Sequence, residues 1–197
     1  FLMLGKTERY TLSNSAKKLI VVGPPASGKR RIGEFLSRRL GLEYVSLKDI
    51  VEGVSTTAFG ADLKNTIPDG SLPSEDVERF IIARLREKDC LDKGWILDGW
   101  PRTAEHVRRL GEMDLLPLTC IVLELPDVVV EDRVAFRQLD PATGTLYHMT
   151  SNPAPLGVGA RCITRPGEST HDMARRLAAY HAQLAPLLAA LRQAGAQ

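Results

Sequence analysis

The chain is short of what secreted, membrane-spanning and polyanion-binding proteins display. Its three cysteines, Cys90, Cys120 and Cys162, are odd in number, far apart and without a CxxC pair. That argues against a disulfide framework and against a thiolate zinc site, and it predicts a reducing interior. No apolar stretch approaches membrane-spanning length, and the opening Phe1, Leu2, Met3 and Leu4 are too few for a signal core before Lys6, Glu8 and Arg9. Charge of one sign is missing too: 26 basic residues against 24 acidic ones leave a formal charge of +2. No global field would hold the protein on nucleic acid or an anionic membrane, so neither is an expected partner and any basic chemistry must be local. A cytoplasmic location is expected.

What is present is a chain of 197 residues, 44% hydrophobic and 25% charged, enough for one sizeable core. Residues 1–16 are polar and irregular and are expected to be an N-terminal extension, with the domain proper over 17–197. Leu19, Ile20, Val21 and Val22 form a short apolar run that opens into Gly23, which predicts a buried strand ending in a loop. Ile32, Phe35, Leu36 and Leu40 near helical spacing predict a helix over 30–40. Apolar runs at 94–98 and 120–125 read as further parallel strands, 44–46 as a shorter one, and 75–88 as a helix. Strands alternating with helices indicate an α/β fold. Residues 138–167 hold four prolines and four glycines without periodicity, too long for an idle connection and suggestive of a functional flap. From about residue 171 the chain is an Ala- and Leu-rich helix.

Gly23, Pro24, Pro25, Ala26, Ser27, Gly28 and Lys29 satisfy G-x-x-x-x-G-K. In such a loop backbone amides surround phosphate oxygens, the following helix N-terminus adds positive potential, and the lysine reaches the outer phosphates. The strand before and the helix after are the context the motif requires. Position 30, however, is Arg30 where the motif has Ser or Thr, and Arg31 follows. A guanidinium cannot ligate Mg²⁺ as a hydroxyl does, though it can pair with phosphate.

Downstream, Leu97, Asp98, Gly99, Trp100, Pro101, Arg102 and Thr103 resemble the D-G-[FY]-P-R-T signature of adenylate kinases. Asp132, Arg133, Arg137 and the run from Asp140 to His148, which holds Thr143, Gly144, Leu146 and Tyr147, are similar to the start of that family's long lid. Cys162 alone in the lid rules out its zinc-bearing form. Arg165 and Arg176 stand eleven residues apart, the spacing of the family's two closing arginines. The resemblance covers roughly residues 17–190. It implies a P-loop NTPase-type doubly wound parallel sheet with an acceptor arm near 47–77 and a lid near 138–167. It also implies phosphoryl transfer from Mg-ATP to AMP, giving two ADP. By that resemblance Lys29, Asp98, Arg102, Arg137, Arg165 and Arg176 are catalytic, with Asp98 reaching the metal through water and no direct protein ligand. ATP would lie on residues 23–31, Arg133, Arg137, Leu146 and Tyr147. AMP would lie on Leu47, Glu52, Ser71, Leu72, Pro73, Gly99, Trp100, Pro101, Arg102, His106, Arg165 and Arg176.

The sequence departs from the family in places that matter. Leu47 stands for an acceptor-binding Thr and Glu52 for a phosphate-binding Arg, and His106 replaces a glutamine that reads adenine. A carboxylate for a cation turns attraction into repulsion. The alternative expectation is therefore a nucleotide-binding structural or regulatory domain with weak or lost transfer, or a kinase for another nucleoside monophosphate. The Pro-Pro-Ala-Ser-Gly-Lys loop resembles degenerate kinase domains of ciliary proteins, which makes a ciliary or axonemal location the second expectation. Arg108, Arg109 and Arg175 are read as surface cations, and His148, His171 and His181 as structural or exposed. The family continues with another strand and helix past the position of Gln197, which predicts a neighbouring domain or partner chain at the open sheet edge.

Overall fold

The computed structural model describes residues 17–54, 74–164 and 169–197. Four strands form a parallel sheet in the order β2-β3-β1-β4: β1 (Lys17–Val22), β2 (Glu43–Ser46), β3 (Gly94–Asp98) and β4 (Thr119–Val122). Helices α1 (Lys29–Leu40), α2 (Leu47–Val54), α3 (Ser74–Leu85), α4 (Lys88–Lys93), α5 (Ala104–Glu112), α6 (Asp127–Ala135) and α7 (Thr170–Gln193) complete the main body. The α/β fold with a parallel sheet is as the sequence implies. Helix and strand limits differ in detail: the helix expected to reach residue 88 ends at Leu85 and a separate α4 follows, while β4 stops at Val122 and not at residue 125.

Alternation along β1 shows why the sheet is covered twice. Ile20 and Val22 face a core built with Ile81, Leu85, Val107, Leu110, Leu187 and Leu191, from α3, α5 and α7. Leu19 and Val21 face the opposite way, onto Leu36 of α1. Every residue of β3 is buried, as befits a strand inside the sheet. Each fully buried Ile or Leu there contributes about 2 kcal/mol of transfer free energy. Beyond β4, the Gln197 N–H donates to the Leu118 carbonyl at 3.1 Å, and its carbonyl accepts from the Cys120 N–H at 2.8 Å. Among the described residues no helix is long and apolar enough to cross a membrane.

The stretch without periodicity contains two short strands, β5 (Arg137–Leu139) and β6 (Leu146–His148), paired antiparallel, and a 3₁₀ turn at Gly159–Arg161. Three-residue strands are too short to print a period in the sequence. Asp140 organises the segment. Fully buried, it accepts from the Ala142 N–H at 3.0 Å, from the Thr143 hydroxyl at 2.8 Å, and from Arg161 Nε and Nη2, each at 2.7 Å. Leu139 and Ile163 exchange backbone hydrogen bonds beside it. The Arg161 guanidinium holds the Asp140 carboxyl well below the usual carboxylate range. A depressed folded-state pKa stabilises above the unfolded value and is lost only as pH falls through the folded one, so the clasp persists in mild acid. Limited proteolysis checks this: cleavage within residues 137–163 should be as slow at pH 5 as at pH 7, and should become several-fold faster in Arg161→Ala.

Candidate functional site

The loop between β1 and α1 is shaped by two left-handed residues, Ala26 at φ 55 and Gly28 at φ 91, which turn the backbone around a central space. Lys29 folds back over that space. Its Nζ donates to the Gly23 carbonyl at 2.8 Å, to the Pro24 carbonyl at 2.6 Å and to Ser27 Oγ at 3.4 Å. Arg133 reaches from α6 to the same loop, donating to the Ala26 carbonyl at 3.0 Å. Val130 and Val134 of α6 pack with Met173 and Leu177 of α7 and with Ala26, which fixes both helices above the loop.

A cavity of about 440 Å³ opens between this loop, the turn after β3 and α7. Lys29, Arg102 and Arg176 line it together with Trp100, His106 and Tyr180. Desolvation pulls the Lys29 pKa down to about 8, assisted by Arg176 and Arg102 and opposed by Asp98. Desolvation first, then Arg176, lowers that of Arg102, part of whose side chain still meets solvent. Three cations are thus gathered with one carboxylate, a field suited to a polyanion. Because Lys29 loses its proton near pH 8, its attraction for a phosphate weakens above that pH. ATP affinity measured calorimetrically should be steady from pH 6 to 7 and fall as pH rises through 8, with proton uptake on binding in the upper range.

The remaining expected residues are placed as follows. Gly23 and Pro25 line the cavity, as do Gly99 and Pro101, the latter joined to Trp100 by a cis peptide. Arg102 is steadied by its Nε–H on the Gly99 carbonyl at 2.9 Å. The His106 ring stacks on Trp100 with centroids 5.2 Å apart, and its Nδ1 accepts from the Arg102 N–H at 3.1 Å. Desolvation, with Arg102 and Arg109, lowers the His106 pKa. Leu47 is buried against Gly99, where an added Cβ would lie 3.2 Å from its own. The Arg30 guanidinium does not turn into the loop: it grips Asp49 of α2 through two bonds of 2.8 and 2.9 Å and Glu34 through a third at 2.9 Å. Arg31 is exposed. Arg137, Leu146 and Tyr147 sit on β5 and β6 and are not among the cavity-lining residues. Ser71, Leu72, Pro73 and Arg165, and the Glu52 side chain, lie outside the described residues.

Arg109 corrects a sequence expectation. It is no idle surface cation, for its Nη1 donates at 2.8 Å to Glu78, whose side chain is only 6% exposed, tying α5 to α3. Arg108 and Arg175 pair with exposed or partly exposed carboxylates of their own helices. His148 Nδ1 accepts from the Ser151 N–H, and His181 Nε2 meets Asp127 at 2.9 Å. Tyr44 was missed altogether. From β2 its hydroxyl donates to Asp98 Oδ2 at 2.7 Å, and desolvation first, then that bond, pushes its pKa far up. Only the strand register could have revealed it, since Tyr44 lies opposite Ile96 and Ser46 opposite Asp98.

Among the described residues no group of three or more His, Cys, Asp or Glu could hold a metal ion alone. Asp98, a hard carboxylate only 8% exposed beside Lys29, fits an ion that arrives on phosphate oxygens and keeps its waters. The family model for adenylate kinase matches residues 21–196. Adenylate kinase 8 of Rattus norvegicus is 31% identical over 177 residues, 89% of this chain and 37% of that protein. A chloroplastic adenylate kinase of Zea mays is 32% identical over 175 residues, 87% of this chain and 79% of that protein. Adenylate kinase 8 of Danio rerio is 29% identical over 192 residues, 95% and 40% respectively. The chain therefore spans little more than a third of the adenylate kinase 8 proteins it matches. A phosphate loop, a D-G-W-P-R turn facing it across one cationic cavity, and a match over nearly the whole length agree: this chain belongs to the adenylate kinase family.

Proposed function

We propose that the chain is a nucleoside monophosphate kinase that moves the γ-phosphoryl group of Mg-ATP to AMP, giving two ADP. The observation that carries this reading is the convergence of Lys29, Arg102 and Arg176 on one cavity with Asp98 beside them. In the reaction a phosphate oxygen of AMP attacks the γ-phosphorus. The bond from that phosphorus to the β,γ-bridging oxygen breaks, and its electron pair leaves with ADP. No protein nucleophile is needed, so the chain's task is positioning and charge neutralisation. Holding the two phosphates in line supplies about 7–11 kcal/mol of the barrier reduction open to such a reaction. Lys29 offsets charge on the donor phosphates, while Arg102 and Arg176 hold the acceptor against them. Mg²⁺ bound with ATP would spread charge across the β- and γ-phosphates, with Asp98 on its water shell. Arg133 and the lid residues Arg137, Leu146 and Tyr147 belong to the donor side in this reading, and Leu47, Glu52, residues 71–73 and His106 to the acceptor side. A lid over the cleft would exclude water, which would otherwise take the phosphoryl group.

The test is ADP formation from Mg-ATP with a panel of nucleoside monophosphates. Turnover with AMP above the others supports the proposal, and turnover favouring another base moves it to that acceptor. Measurable ATP binding without transfer to any acceptor sinks it and leaves the second reading, a nucleotide-binding regulatory domain. Arg30 favours that second reading, because the loop there offers a cation tied to Asp49 in place of a hydroxyl. We extend the proposal to a cytoplasmic or ciliary location and to a neighbouring domain or partner chain along the β4 edge.

A further inference from the structure

The loop hydroxyl that would touch a metal ion in this motif is replaced by Arg30, whose guanidinium is committed to Asp49 and Glu34. That leaves Asp98 as the metal-side carboxylate of the cleft, and a carboxylate acting through water depends on its orientation, since a rotated oxygen no longer meets the ion's hydration shell. Asp98 ends β3, and the turn that follows begins with Gly99, so its backbone alone does not fix both oxygens. The group that fixes one of them is the Tyr44 hydroxyl, 2.7 Å from Oδ2. Ser46, next along β2 on the same face and opposite Asp98 in register, lies beside the same hydroxyl.

The ring is itself held from the other side. It lies against α1 at Gly33, where a Cβ would come within 2.5 Å of Tyr44 Cε2 and 3.1 Å of Cδ2. A glycine in the interior of a helix costs roughly 1 kcal/mol against alanine, and here the vacancy of that one methyl lets the phenol reach across the sheet end to Asp98. Backbone, ring and carboxylate form one relay: Gly33 admits the ring, the ring aims the hydroxyl, and the hydroxyl sets the carboxylate.

We propose that Tyr44 is a positioning residue for this site, holding the Asp98 carboxylate so that its second oxygen meets the water shell of the nucleotide-bound divalent ion. The inference rests on the kinase-type reading of the cleft, and the test separates the two. Mn²⁺, which takes the same oxygen ligands as Mg²⁺, is titrated into the complex of the full chain with ATP and followed by the loss of the free-ion paramagnetic signal. ATP affinity is measured separately in EDTA.

Removal of an outer-shell partner of this kind typically weakens metal binding about 10–100-fold. Tyr44→Phe, which keeps the ring and deletes one oxygen, should weaken Mn²⁺ by about 10-fold at the low end of that range, with metal-free ATP affinity unchanged. In an Asp98→Asn background the same replacement should add no further loss. Should Tyr44→Phe fail to fold, Gly33→Ala carries the test by displacing the ring with the hydroxyl intact, and it too should weaken Mn²⁺. Mn²⁺ affinity equal to that of the parent in the folded variant overturns the positioning role and leaves the kinase reading standing. A parent chain that binds no ATP at all overturns the kinase reading, and this inference with it. An equal loss with and without Asp98 assigns the hydroxyl to packing and overturns the proposal as well.

Discussion

Lys29→Met is expected to lower phosphoryl transfer by about 10³-fold, the scale for losing one preorganised donor at a developing charge. Methionine keeps roughly the length and volume of the lysine stem, so the change removes charge and donors and little packing. Three acceptors in the loop, the Gly23 and Pro24 carbonyls and Ser27 Oγ, lose their partner at the same time. The loop should therefore loosen even without nucleotide, and ATP affinity measured calorimetrically should fall together with turnover. Parent-like binding and turnover in Lys29→Met would remove this loop from the reaction.

Arg102→Ala is expected to lower kcat/KM for the acceptor by about 10²–10³-fold while leaving ATP affinity near that of the parent. The guanidinium is a planar fork, able to meet two phosphate oxygens at once, and its Nε–H is already fixed on the Gly99 carbonyl, which sets the direction of the remaining nitrogens. Lysine has a point charge and no fork, so Arg102→Lys should recover only a minor part of the loss. Steady-state kinetics with AMP varied at saturating Mg-ATP would show the difference. An equal loss of ATP affinity would place Arg102 on the donor side.

How much of this was legible in the sequence depends on how local each feature is. The phosphate loop and the D-G-W-P-R turn are contiguous, and their function is written by backbone conformation and by residues a few positions apart. Both were found as short strings, and the structure sets them across one cavity. The central strands β1 and β3 were found for a related reason, since a strand buried on both faces prints an apolar run, as Trp95, Ile96 and Leu97 do. What stayed hidden depends on distant partners. Tyr44 meets Asp98 only because β2 and β3 pair in one particular register. Arg109 looked like a solvated cation until α3 brought the buried Glu78 to it. Arg30 looked like a phosphate ligand by motif position, yet its guanidinium is drawn off by Asp49, nineteen residues on. Charged side chains are long, and sequence spacing says little about which partner they reach.

The Asp140 and Arg161 clasp bears on the timing of any closure over the cleft. Residues held by a buried carboxylate with four donors, a two-stranded ribbon and the Leu139 and Ile163 backbone pair are already ordered before a nucleotide arrives. The conformational entropy of fixing them, about 1–2 kcal/mol per residue, is surrendered when the protein folds and not when it binds. In the proposed kinase such a preassembled flap would move as one body, leaving only backbone angles at its ends to be chosen on closure. Ligand affinity would then be spared the cost of organising the cover.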